Sequence, residues 1–307
     1  GELVRFVGPF TVDDNERAYG GRFANRNRNK LSIALDLTDG ADRETLLQLV
    51  ETADGLLENM RAGVLDRLGV GWEVCRARNP QLVYAAVRGF GDPRTGASPR
   101  SDWPAYDAVA QAVGGFVAST GEDAQHPMRT GPPIGDYVPG LMAALGLLAA
   151  VMHARDTGQG QFVDVAMTDG LMSMSETAQM QWSYRGEDLQ PTGNSAAGIT
   201  PFGVYPTSDG HCAVAAPTEA HWRELCAAMD RQDLLADERS ATPRSRGRNS
   251  DFVDGAVSAW TGGRTTAEVV ESLGGKVSVG PVQQPRDWVD DPHVAVREML
   301  VRVDHPH

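Results

Sequence analysis

Lysine is almost missing from this chain: Lys30 and Lys276 are the only two among 307 residues, and every other basic side chain is arginine. Acidic residues outnumber basic ones by 41 to 28, for a net charge of −13. That balance argues against a general nucleic-acid surface, while leaving room for a local pocket that takes an anionic ligand. Cysteine is scarce as well. Cys75, Cys212 and Cys226 are odd in number and far apart, so they make no disulfide framework and read as reduced thiols of a cytoplasmic protein. The histidines contain no HExxH pattern, His305-x-His307 falls at the terminus, and no metal is expected. No GxSxG elbow is present to support an activated serine.

Phosphate motifs fail in the same way. GGK at 274–276 lacks the upstream glycine of a P-loop, because position 270 is Val, and Val277 stands where Ser or Thr is needed. GQG at 158–160 precedes a strand, the wrong order for a dinucleotide fingerprint. No signal peptide is visible, and the chain opens on GELVRFVGPF without a Met. The apolar run Val138–Met152 is shorter than a spanning helix, contains Pro139 and runs into His153, Arg155 and Asp156. It predicts a buried core helix after Pro139 and no membrane association.

What is present is the composition of a globular protein, with 41% hydrophobic and 22% charged residues. The length suits two domains. From residue 43 to 183, helical and strand patterns alternate. Leu46, Leu47, Val50 and Ala53 mark one helix face. GLLEN (55–59), LVYAAV (82–87) and QFVDVAM (161–167) read as strands, and helices are predicted over 107–118 and from Leu171 to about Tyr184. Such alternation predicts a parallel sheet covered by helices, in which ligands gather beyond the carboxyl ends of the strands. Pro191–Pro206 is rich in Gly, Pro, Ser and Thr and reads as a linker or active-site loop. Beyond it, VYPTSDGHCAVAA carries an Asp209-Gly210 hairpin turn, and helical patterns follow around Trp222–Met229, Phe252–Trp260 and Ala267–Leu273. The expected organisation is an α/β fold: a large domain over 1–190, a linker over 191–200, a small α/β domain over 201–290 and a returning linker over 291–307.

Several residues at element ends carry chemical interest. Asp169, in MTDG, lies two residues past a predicted strand and before a helical pattern; it is either a helix cap or a working carboxylate. In ENMRAGVLDRLGV (58–70), Asn59 ends a predicted strand and Arg67 follows Gly63, either as a turn with a solvated Arg or as backbone and guanidinium groups that meet a phosphorylated ligand. Tyr106 and Asp107 stand just before a helix, which Asp107 could cap, and Asp136 could cap the helix after Pro139. Arg129 and Arg185 are either surface groups or partners for a substrate carboxylate.

Taken in order, residues 25–37 (containing NRNKLSIALDL), ENMRAGVLDRLGV (58–70), YDAVAQAVGG (106–115), TGQGQFVDVAMTDGLM (157–172), TPFGVYPTSDG (200–210) and DPHVAVREM (291–299) resemble the family III coenzyme A transferases. That family, also called CaiB/BaiF, includes formyl-CoA and carnitine CoA-transferases and the related α-methylacyl-CoA racemases. The resemblance implies a Rossmann-like large domain, a smaller α/β domain and an interlocked homodimer. It makes Asp169 the nucleophile. It places Asn59, Met60, Arg67 and Leu68 at coenzyme A, and Tyr106, Asp107 and Gly170 in the substrate pocket. The implied substrates are an acyl-CoA donor and a carboxylic-acid acceptor, with no tightly bound cofactor. By the same resemblance, the family's first strand and helix are missing before Gly1, and TGNSAAG (192–198) is only a partial match to the glycine-rich loop of several transferases. Two other readings stay open: an α-methylacyl-CoA racemase-like enzyme, although racemases carry His where Tyr106 stands, and a non-catalytic CoA-binding paralogue.

Overall fold

The computed structural model describes residues 2–14, 16–17 and 20–303; His305 and His307 lie outside the described residues. The chain divides into two compact units. One comprises Gly1–Leu35 and Gln283–His307, the other Asp36–Val282. The first unit opens with a 3-10 turn over Leu3–Phe6, followed by α1 (Gly21–Arg26), and the guanidinium of Arg5 stacks 3.9 Å from the ring centre of Phe23 in that helix.

The second unit runs α2 (Gly40–Thr52), β1 (Gly55–Glu58), α3 (Val64–Arg67), α4 (Trp72–Arg78), β2 (Val83–Arg88), α5 (Asp107–Val113), α6 (Phe116–Ser119) and α7 (Ile134–Thr157). It continues through β3 (Phe162–Ala166), α8 (Met167–Ser173), α9 (Glu176–Arg185), β4 (Ser195–Ala196), β5 (Ile199–Pro206) and β6 (His211–Ala215). It closes with α10 (Glu219–Ala228), α11 (Pro243–Arg248), α12 (Ser250–Gly262), α13 (Thr266–Leu273) and β7 (Ser278–Pro281). Two short helices, α14 (Pro285–Val289) and α15 (Pro292–Val296), return the chain to the first unit. Asp291 starts α15 by accepting the His293 N–H.

The fold is mixed α/β. Strands β1, β2 and β3 pair in parallel in that order, with Leu57 opposite Ala85 and Ala85 opposite Val163. Central strand β2 is apolar on both faces because helices cover both. Tyr84 and Ala86 face a core with Leu47, Val50, Leu65, Trp72 and Cys75, where Trp72, Tyr84 and Phe162 form an aromatic cluster. Val83 faces Ala150, Val151 and Ala154 of α7. Each large aliphatic side chain buried this way contributes roughly 1.5–3 kcal/mol. Strands β4 to β7 form a separate antiparallel sheet. One face packs Tyr205, Cys212 and Val214 against Trp222, Leu225, Val257 and Leu273 from the surrounding helices.

Several boundaries differ from the sequence reading. Helix α7 starts at Ile134, so Pro139 lies inside it and forgoes the bond to the carbonyl of Gly135. It is also only partly a core helix. Ala143, Ala150, Val151 and Ala154 are buried, but Leu141, Leu145, Leu148 and Met152 are exposed along another face. By length and composition it is the one helix among the described residues that could cross a membrane. The helix expected over 107–118 breaks at Gly114-Gly115, where Gly115 has φ of 89°. The helix expected from Leu171 begins at Met167 instead and is interrupted before α9. The stretch expected to be a linker or loop contains β4 and all of β5, which pairs with β6 through the Asp209-Gly210 turn.

Candidate active site

Strand β3 feeds directly into α8, and this junction determines where Asp169 sits. The residue before the helix is Ala166, which offers no side-chain cap, and Asp169 falls in the first helical turn. The capping expectation is therefore corrected: the helix begins too early for Asp169 to precede it. Its Oδ1 accepts the neighbouring Thr168 hydroxyl at 3.2 Å. Met167, Thr168, Gly170 and Leu171 are all buried, whereas Asp169 is exposed. One carboxylate is thus turned outward from an otherwise buried turn, where the helix peptide dipoles favour negative charge.

Two glycines fix that turn. The carbonyl of Gly89, just past β2, accepts the Thr168 N–H at 3.2 Å and the Thr168 hydroxyl at 3.0 Å. A Cβ on Gly89 would sit 2.5 Å from the Cβ of Ala105, so only glycine lets the chain pass between Thr168 and the residue preceding Tyr106. A Cβ on Gly170 would meet the Met142 sulfur at 3.2 Å, which gives Gly170 a packing role in bringing α8 close to α7.

Tyr106 stands immediately before α5 and is exposed. Asp107 does not cap α5. Its Oδ1 accepts the Gly135 N–H at 2.9 Å, in the first turn of α7, and the Gln111 amide at 2.8 Å. The cap is supplied across space because the backbone of Gly135 approaches so closely: a Cβ there would lie 2.6 Å from the Asp107 carbonyl oxygen. Buried Gln111 accepts the Thr130 N–H at 2.9 Å, tying the 120–133 loop to the same point. Asp136, expected to cap the helix after Pro139, is instead in the first turn of α7.

At the carboxyl ends of β1 and β2, Asn59 and Met60 are exposed, Arg67 is exposed on α3, and Leu68 is half-buried behind it. Beneath them lies an ion cluster that the sequence reading missed. Buried Arg88 bridges Glu58 at 2.7 Å and Asp92 at 2.9 Å, and it also donates to the Met60 carbonyl. Arg94 joins Asp92 to Asp66 of α3. Asp164 on β3 accepts the Asp92 N–H at 3.0 Å and the Thr95 hydroxyl. Burial alone would raise the pKa of Asp92, but the Arg94 N–H and the two guanidinium groups outweigh it and hold the carboxyl below its usual range. The available sequence signal was RGFGD (88–92), opposite charges flanking glycines at the end of an apolar strand.

Other features lie apart from this cluster. A cavity of about 610 Å³ on the open face of the antiparallel sheet is lined by Asn194, Phe202, Val204, Ala213 and Gly280 and by none of the expected site residues. Gly198 occupies the turn between β4 and β5 with φ of 75°. The three thiols are buried, which pushes Cys75 up to about 11, with help from the charge of Asp66, and Cys226 up to about 12. Such thiols make poor nucleophiles. Among the described residues, no group of three or more His, Cys, Asp or Glu side chains could hold a metal ion. Arg185 pairs with Glu187 at 3.2 Å, and Arg129 donates to the carbonyl of Thr130 at 3.0 Å.

Comparison with known proteins matches residues 1–307 to the model of CoA-transferase family III. The chain is 42% identical over 306 residues to the succinyl-CoA:mesaconate CoA-transferase of Haloarcula hispanica, an alignment covering 100% of this chain and 77% of that one. It is 33% identical over 283 residues to the succinyl-CoA–D-citramalate CoA-transferase of Chloroflexus aurantiacus, covering 91% of this chain and 69% of that one. Its fold is similar to the crystal structure of a CaiB/BaiF family protein from Brucella suis, with a TM-score of 0.83 and 28% identity over 96% of this chain and 78% of the other.

Proposed function

The chain belongs to CoA-transferase family III and is an acyl-CoA:carboxylate CoA-transferase, and we propose that it works through covalent catalysis by Asp169. The observation that carries this reading is the exposed carboxylate in a buried helical turn, beyond the end of a parallel strand and released from any capping duty. A carboxylate oxygen is itself a nucleophile and needs no activating base.

The steps balance without a net proton. A carboxylate oxygen of Asp169 attacks the thioester carbon, and the carbon–sulfur bond breaks to expel CoA thiolate, leaving an aspartyl mixed anhydride. The thiolate then attacks the aspartyl carbonyl carbon, forming an aspartyl-CoA thioester and releasing the first carboxylate. The acceptor carboxylate attacks that thioester, giving a second anhydride and thiolate. Attack of the thiolate on the acceptor's acyl carbon yields the new acyl-CoA and regenerates Asp169. Each tetrahedral step requires oriented donors for its oxyanion and exclusion of water, which would hydrolyse either activated species.

In the same reading, Asn59, Met60, Arg67 and Leu68 contact coenzyme A, and Tyr106, Asp107 and Gly170 line the acyl pocket. The names of the relatives above pair succinyl-CoA with mesaconate and with D-citramalate, which supports a dicarboxylate as the acid partner here. The exposed stripe Leu141, Leu145, Leu148 and Met152 on α7 supports a homodimer. The test is an exchange assay with labelled CoA and a panel of dicarboxylates. Wild-type protein exchanges and Asp169→Asn does not; equal rates in the two would remove Asp169 from the mechanism.

A further inference from the structure

We infer that Arg88 is a positioning residue for coenzyme A, acting through Glu58 and Met60. The inference rests on the reading that Asn59 and Met60 contact coenzyme A, and it concerns how they are held there. Both polar groups of the Met60 backbone are occupied by one buried pair. The Met60 N–H donates to Glu58 Oε2 at 2.7 Å, and the Met60 carbonyl accepts from Arg88. The Glu58 and Arg88 side chains are only 7% and 5% exposed, so neither reaches a ligand directly.

Charge separates positioning from attraction. Arg88 and Arg94 face Glu58, Asp92 and Asp66, so the acids outnumber the bases in this cluster. An anionic ligand gains little from a guanidinium whose charge is already consumed. What the pair supplies is geometry: a segment at the ends of β1 and β2 is fixed before the ligand arrives, which lowers the ordering cost of binding. The arrangement also reaches the nucleophile's turn. Arg88 is followed directly by Gly89, whose carbonyl holds Thr168, so one stretch of backbone indexes the CoA segment and Asp169 to each other.

Removing one partner of a buried ion pair is strongly destabilising, so conservative variants are required. In Arg88→Lys and Glu58→Gln, measured on the full chain, the Kd for free CoA by calorimetry and the KM for acyl-CoA should both rise about tenfold or more, the loss expected for hydrogen bonds to charged groups. The KM for the acceptor acid should stay within about threefold, because that substrate makes no use of the Met60 segment. Unchanged CoA affinity in a folded variant, or equal losses in every kinetic parameter, would overturn the inference. Should both variants fail to fold, amide exchange on the wild-type protein decides. The Met60 N–H should be protected before CoA is added, and protection that arises only on CoA binding contradicts a preformed segment. Calorimetry needs no turnover, so the test is separable from the nucleophile: transfer persisting in Asp169→Asn would sink the mechanism and leave this inference standing.

Discussion

Thr168 donates both its backbone N–H and its hydroxyl to the carbonyl of Gly89, which joins the start of α8 to the end of β2 immediately before the proposed nucleophile. Replacing Thr168 by Val keeps the shape and the N–H bond but removes the hydroxyl's bonds to Gly89 and Asp169. Stability should fall by about 1 kcal/mol, the net worth of a neutral hydrogen bond. Turnover should fall further, about tenfold or more, because small misplacements of a reacting group are costly. Thermal denaturation and steady-state exchange on the same preparation measure both; a variant with full turnover would show that this anchor does not orient Asp169.

The antiparallel sheet offers a pH-dependent test. Burial raises the pKa of Asp254, and the hydrogen bond from the Tyr205 hydroxyl, at 2.6 Å, only partly opposes it. A carboxyl whose folded pKa is raised stabilises the fold below its unfolded value, near 4, and that contribution is lost as pH rises through the folded value. Asp254→Asn still accepts from Tyr205 and carries no charge. Its melting temperature should match or exceed that of the wild type at pH 7, with the difference shrinking toward pH 3. A variant less stable at pH 7 than at pH 4, relative to wild type, would contradict the sign.

Much of this architecture was legible in the sequence. The strands β1 to β3 and the Asp209-Gly210 hairpin stand out because short apolar runs between helical patterns mark a parallel sheet and a tight turn needs particular residues. Helix starts were less legible, since they depend on partners far along the chain. Asp107 caps α7 and not its own helix, a pairing that exists only because α5 and α7 pack together. The Arg88 cluster was hidden for the same reason: Glu58, Asp66, Asp92 and Asp164 share no sequence period and come from β1, α3, the loop after β2 and β3, which only the folded chain brings into one place. For Asp169 the sequence suggested the residue through family resemblance, and the structure supplied its exposure and its place inside the helix.

Tyr106 stands where racemases of the family carry His, and a phenol is a poorer proton acceptor than an imidazole. Incubating a 2-methylacyl-CoA with the protein in deuterated water should give no rapid exchange of the α-proton. Fast deuterium incorporation, read by mass spectrometry, would favour racemase chemistry.

The stripe on α7 motivates a prediction about assembly. Light scattering at micromolar concentration should report a dimer that persists on dilution, and Leu145→Glu should weaken it by placing a charge on the apolar face. A stable monomer under these conditions would count against a second copy as the occupant of that face.

The central claim is a covalent aspartyl intermediate, and trapping it tests that claim most directly. Hydroxylamine added during turnover should convert the activated carboxylate to a hydroxamate, located by peptide mass spectrometry on the segment holding Asp169 and formed only when acyl-CoA is present. Asp164, on the strand leading to it, accepts the Asp92 N–H in the ion cluster and serves as the internal control that stays unmodified. Modification confined to Asp169 is the predicted result. An unmodified Asp169 in protein that is actively transferring CoA would contradict the mechanism.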